Sequence, residues 1–193
     1  NMVSLEKGLD FDFEPGEMND DETVDMSTTK NIKWVAKLGS QAYGNVTVAN
    51  GRVFAGTNNE SPRDSGKKGD RGVVMCFDEK NGELEWQLVI PKLGAGKVSD
   101  WEYIGVCSSP AIEGNRVYVV TNKCEVICLD IEGFKNGNDG PFMDETNYVK
   151  PKGTQDSLNE KLDADIIWMY DMRDQLGVFP HNVTSSSPLI IGD

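Results

Sequence analysis

Three tryptophans punctuate this chain at the same place in a repeating pattern, and that repetition restricts the fold more than any single motif does. IKWVAKLG (Ile32–Gly39), LEWQLVI (Leu84–Ile90) and IIWMYDM (Ile166–Met172) are each followed by a stretch rich in small residues. These stretches are YGNVTVANGRVFAGTN from Tyr43, VCSSPAIEGNRVYVVTN from Val106 and VTSSSPLIIGD from Val183. An Asp-terminated run follows twice, VVMCFD ending at Asp78 and EVICLD ending at Asp130. The order is constant: Trp strand, small-residue strand, hairpin strand, Asp strand.

Each piece has a local physical reason. Asn50-Gly51 and Gly114-Asn115 supply the positive φ angles of two-residue hairpins, and RVFAG and RVYVV carry the β-branched and aromatic side chains that suit a pleated surface. Ser108-Ser109-Pro110 and Ser186-Ser187-Pro188 place small residues where strands crowd, with Pro at a strand start. One repeat is therefore a four-stranded antiparallel sheet; the second is expected at Ser108–Ile112, Arg116–Thr121, Glu125–Leu129 and Ile166–Tyr170. A sheet that cannot bury its apolar faces alone needs neighbours, and sheets set radially around an axis supply them. The expected fold class is all-β, a β-propeller with about two complete blades and flanking single strands at Trp34 and after Val183. Propellers usually have about 4 to 8 blades, so this count implies further blades elsewhere, on the same polypeptide or on another chain.

The domain division follows from charge. Between Glu6 and Asp25 the sequence is strongly acidic and poor in apolar residues, which reads as an irregular, solvated arm over residues 1–30. Residues 31–193 form the partial propeller, with insertions at 58–72 and 131–165. The arm's DFDFEPG alternates carboxylates as calcium loops do, but its Gly falls one place late for an EF-hand and no closing Glu follows.

CFDEKNGELEW, Cys76 to Trp86, resembles the tryptophan-docking motif of the quinoprotein, or PQQ-like, propeller repeat, Ala-x-Asp-x-x-x-Gly-x-x-x-Trp. Cys76 takes the Ala place, and Asp78, Gly82 and Trp86 match the rest; Cys128 and Asp130 begin a second copy, interrupted before Trp168. SSPA at Ser108–Ala111 and SSPL at Ser186–Leu189 also look like that family, and GNDGPFMDE and LGVFPHN resemble insertions of bacterial PQQ-binding-like propellers. The resemblance implies that Trp34, Trp86 and Trp168 each lie between adjacent blades, indole N–H toward a carbonyl, with Asp78, Gly82 and Asp130 shaping the turns. These six residues are structural.

Candidate functional residues lie in the loops. Strand alternation sends the loops at Asn58–Arg71, Pro91–Gly105 and Asp171–Asn182 to one rim and the insertion at Ile131–Asp165 to the other. The ligand-face candidates are Trp101, Tyr103, Asp174 and the lone His181, which has no His or Cys nearby in sequence for a metal pair. In the insertion, Asn136, Asn138, Asp139 and Asp144, with Glu145, offer hard oxygens suited to calcium, but their spacing matches no standard loop and turn propensity alone accounts for them better. Four cysteines allow at most two disulfides; Cys76 and Cys128 read as small buried residues, and Cys107 and Cys124 start strands two spacings apart, too far for a bridge unless a loop bends inward.

Nineteen basic against 32 acidic residues leave a formal charge of −13, which disfavours nucleic acid and anionic lipid. No apolar run has the length of a membrane helix. Two functional expectations follow from the resemblance. The first is a noncatalytic binding or scaffold module of the bacterial envelope, periplasmic or secreted, with a protein partner. The second is a fragment of a PQQ- and calcium-dependent dehydrogenase whose active-site blades lie outside this chain. The first is preferred, because no carboxylate here aligns with that enzyme family's cofactor ligands or catalytic Asp, and its adjacent Cys-Cys pair is missing.

Overall fold

The computed structural model describes residues 7–8, 10–96 and 98–192; Glu6 of the acidic arm and the terminal Asp193 lie outside the described residues. Two four-stranded antiparallel sheets dominate. The first runs β3 (Thr47–Ala49), β4 (Arg52–Asn58), β5 (Arg71–Asp78) and β6 (Leu84–Pro91), each strand pairing with the next. The second runs β7 (Ala111–Glu113), β8 (Arg116–Val120), β9 (Glu125–Asp130) and β10 (Ile166–Asp171) in the same meander. The chain is mostly β with few helices, as expected of propeller blades. The expected second blade is displaced at one strand: Ser108–Pro110 lie outside the ladder, where Pro has no N–H to give.

The same irregularity recurs just before two of the tryptophans. Between β5 and β6 the register shifts so that Trp86 faces Cys76 while Leu84 faces Phe77. Between β9 and β10 Trp168 faces Cys128 while Ile166 faces Leu129. One extra residue, Glu85 or Ile167, bulges in each case, and a bulge re-aims the side chain that follows it.

Packing separates the faces of the first blade. Phe54, Val74, Cys76, Trp86, Leu88 and Ile90 join Val106, Val117, Val119, Ile127, Leu129 and Ile166 of the second blade in one apolar core. On the opposite face Val73, Met75, Phe77 and Val89 are covered by Trp34, Ala36 and Leu38. The Trp34 segment thus occupies the position of a neighbouring blade, but residues 32–39 form no ladder. This corrects the expected Trp34 strand: no other strand pairs with it among the described residues, and it is held by its packed side chains and by single backbone contacts to side chains, Gly39 N–H to Thr57 Oγ1 at 3.0 Å and Arg63 to the Lys37 carbonyl. The expected strand after Val183 is likewise unladdered.

The blades are also linked near their first strands by a repeated contact. Asn45 N–H donates to Ser109 Oγ at 2.8 Å, and Ser109 N–H donates to Ser187 Oγ at 2.9 Å. Asn45, Ser109 and Ser187 are equivalent repeat positions, so the start of a third unit already sits against the second as the second sits against the first.

The acidic arm is less irregular than its composition implies. β1 (Glu17–Met18) and β2 (Val24–Asp25) form a two-stranded ladder, followed by a 3₁₀ turn at Met26–Thr28 capped by Asp25. Carboxylates organise it: Asp21 Oδ1 accepts from the N–H and hydroxyl of Thr23, and Glu22 pairs with Lys37. None of its described residues is buried.

Candidate functional site

Two seams show how the repeat works. Trp34 Nε1–H donates to the Glu79 carbonyl at 3.0 Å, and Trp86 Nε1–H donates to the Ile131 carbonyl at 2.9 Å. Both acceptors follow the repeat aspartate directly. Asp78 Oδ1 accepts from the Lys80 and Asn81 N–H groups, and Asp130 Oδ1 accepts from Glu132 N–H, so each carboxylate winds the turn that presents the carbonyl. Gly82 lies under the Trp34 ring, where a Cβ would come within 2.5 Å. Gly133 takes that role for Trp86, with φ +61° and a would-be Cβ at 3.1 Å. Gly133 stands three residues after Asp130, where Gly82 stands four after Asp78, so the motif's spacing does not mark it.

Trp168 departs from what the resemblance implies. It is 36% exposed and packs on Tyr118 of its own sheet, ring centroids 6.0 Å apart. A tryptophan on this strand docks on the turn of the following unit, and the described residues contain no such turn beyond β10.

The rim loops converge as expected. Asn58 Nδ2 donates to the Tyr103 carbonyl at 2.6 Å, and Tyr103 N–H donates to Asp70 at 2.9 Å. Trp101 N–H donates to the Asn182 carbonyl at 2.7 Å, and Asn182 N–H to the Val98 carbonyl. Buried ion pairs hold the loops down. Lys92 pairs with Asp100 at 2.6 Å, and Asp100 also accepts from Asn122 Nδ2 at 2.9 Å. Lys67, almost fully buried, pairs with Asp163 and with Asp64. Breaking one partner of such a pair leaves an uncompensated buried charge.

Of the four ligand-face candidates, Trp101 and Tyr103 are each 45% exposed, and Phe179 and Val98 stand on the adjoining loops with larger exposure. His181 and Asp174 are exposed. The loop chain Trp101–Asn182–Val98 brings His181 to the Trp101 side of the rim; Asp174 lies on a short helix, α2 (Met172–Leu176), capped by Asp171. A Thr-Asn doublet recurs at the end of the hairpin strand of the first blade, Thr57-Asn58, and just past that of the second, Thr121-Asn122. Thr57 Oγ1–H donates to the Gln41 carbonyl, and Asn58 and Asn122 tie the neighbouring loops. Its recurrence was the available signal.

The long insertion does not stay on the opposite rim. It leaves β9, forms a 3₁₀ turn at Gly133–Asn136 and a helical turn, α1 (Glu145–Tyr148), and runs along the outer edge of the first blade. Gln87 N–H donates to Leu162 O, and Ala164 N–H donates to Gln87 O, both at 2.7 Å. Arg71 pairs with Asp156 at 2.5 Å. Parallel pairing on β6 covers an edge that would otherwise be open, and it carries the insertion from the turn side to the rim.

The calcium candidates are rearranged by this path. Asp144 accepts from Asn147 Nδ2 at 2.6 Å, Asn136 Nδ2 donates to Asp139, and Asn138 Nδ2 donates to Glu145 at 3.1 Å. Among the described residues no three His, Cys, Asp or Glu side chains converge as a ready-made metal centre. Asp165, which sequence reasoning missed, is fully buried and accepts from Asp139 N–H at 2.9 Å. Burial pushes its carboxyl up to about 6 against that hydrogen bond, and Glu145, Asp130 and Asp139 add repulsion. All four cysteines are free and buried; burial drives the Cys76 thiol far up, and those of Cys107 and Cys128 to about 11.

Paired four-stranded sheets with tryptophan-on-turn seams define a β-propeller repeat protein. Residues 20–132 and, offset by about one repeat, 67–175 match the family model described as outer membrane protein assembly factor BamB. The chain therefore belongs to this family of PQQ-like β-propeller repeats. No curated protein matches it significantly. Among the described residues no helix is long and apolar enough to cross a membrane.

Proposed function

We propose that this chain is a noncatalytic binding module of the bacterial envelope, periplasmic or secreted, that holds a protein partner on the loop rim. The single observation that carries the reading is the pair Trp101 and Tyr103, half exposed on a loop pinned by the ion pair between half-buried Lys92 and buried Asp100. Aromatic side chains presented rigidly are what protein interfaces use as anchors, since they offer large contact area at little entropic cost. The family's description, an outer membrane protein assembly factor, makes envelope proteins the first class of partner to test. The open face around Trp168 and Tyr118 suits a further repeat, on this polypeptide or on another chain.

The test is a photo-crosslinking residue in place of Tyr103, used in envelope extracts and followed by reconstitution with the purified partner. A defined partner whose affinity falls at least about tenfold in a Trp101→Ala, Tyr103→Ala double variant supports the reading. Partner binding untouched by that variant overturns it. So does stoichiometric binding of PQQ with calcium accompanied by dye reduction, which would make the whole protein a dehydrogenase.

A further inference from the structure

We propose that the Ile131–Asp165 insertion binds one divalent cation of the hard, oxygen-seeking kind, calcium before magnesium, between Asp165 and Glu145. Among the described residues, the carboxylates of Asp100, Glu125, Asp130, Glu145, Asp163 and Asp165 are all closed off from solvent. Four of them have a cationic partner: Asp100 has Lys92 at 2.6 Å, Glu125 has Lys123 at 2.9 Å, Asp130 has Arg116 at 2.7 Å and Asp163 has Lys67. Glu145 and Asp165 have none among the described residues. They are neighbours, because Glu145 Oε1 accepts from the N–H of Ile166, the residue after Asp165, at 3.4 Å. Asp165 Oδ2 is engaged by Asp139 N–H, while Asp165 Oδ1 is buried with no hydrogen-bond partner.

Two adjacent buried carboxylates without a counter-charge are expensive, and among the described residues the other four buried carboxylates each have one. A doubly charged cation would balance both. The donors fit calcium: Asp165 Oδ1 and the Glu145 carboxylate, with backbone carbonyls or water completing an all-oxygen shell. Absence of His and Cys from this group disfavours zinc and copper. Because Asp163 and Ala164 lie against Lys67 and Gln87 of the first blade, a cation here would brace the contact between the two sheets. The competing way to neutralise the pair is a proton shared between the carboxyls.

The test uses the full chain, stripped with chelator, dialysed and titrated separately with calcium and magnesium by calorimetry and thermal unfolding. The expected result is one calcium per chain and a Tm raised by about 5 to 10 °C at about 100-fold excess over Kd. Asp165→Asn and Glu145→Gln should each abolish the saturable heat and the Tm shift. Without metal, Asp165→Asn should melt no lower than wild type, since it removes buried repulsion. Asp144→Asn, whose carboxylate is engaged by Asn147, should keep the response. Wild-type protein that binds no stoichiometric calcium overturns the site and leaves the shared proton as the answer, whatever the variants do. An undiminished response in both Asp165→Asn and Glu145→Gln overturns it equally.

Discussion

The two sheets share one repeat, yet the first is buried on both faces and the second on only one. Trp86 lies between the sheets at 1% exposure, its N–H on a carbonyl of the second blade. Trp168, at the same repeat position and behind the same bulge, is 36% exposed over Tyr118. Both tryptophans pair with a cysteine across the ladder behind a one-residue bulge, so the difference in burial belongs to what stands opposite. A docking tryptophan is half of an interface; burial and hydrogen bonding arrive only when the following turn, with its aspartate and glycine, supplies the other half.

The largest test of this contrast is Trp86→Ala, expected to destabilise by about 3 to 5 kcal/mol in urea unfolding, as truncation of a fully packed aromatic does. A loss below about 1 kcal/mol would remove the seam from its central place. Next is Gly82→Ala, where a Cβ would meet the Trp34 ring at 2.5 Å on a backbone with φ +73°. It should lose about 1 to 3 kcal/mol and quench or shift Trp34 fluorescence, whereas Gly51→Ala, with open space around its Cβ, should show only the backbone penalty. Trp168→Ala should change stability by less than about 1 kcal/mol in this chain. Fusing one further repeat after β10 should raise that loss toward the Trp86 value; if it does not, the equivalence of the two positions fails.

The smallest effect concerns the thiols. Cys76 and Cys128 occupy matching places beneath Trp86 and Trp168, and both are buried with thiols pushed well above the ordinary range. Alkylation at pH 8 should be negligible in folded protein and complete in denaturant, because the thiolate is the reactive form. If the open face loosens the second blade, Cys128 should label before Cys76 as denaturant rises.

Much of this was readable in advance. The strand order, both hairpin turns, the Asp-wound turns and the rim on which Trp101 and Tyr103 stand follow from β-branched runs broken by Asn-Gly, Gly-Asn and Asp, which are local signals. The Trp34 segment was misread as a strand because IKWVAKLG has strand-like composition; whether it pairs depends on a backbone edge supplied from elsewhere. Asp165 carries no motif in LDAD, where nothing sets it apart from Asp163 two residues earlier. Its significance comes from Glu145, twenty residues upstream, and from the lack of an ion pair to either carboxylate among the described residues.

What the sequence determined alone is the repeat: a period, a meander and a tryptophan placed to face a neighbour, all consequences of side-chain alternation and turn chemistry within a few residues. Tertiary structure decided which tryptophan is covered, that Gly133 stands in for the missing motif glycine, that the insertion climbs along β6, and that Asp165 meets Glu145 without a counter-charge. Those outcomes depend on contacts between distant segments, where burial and electrostatics act on groups that the chain order keeps apart.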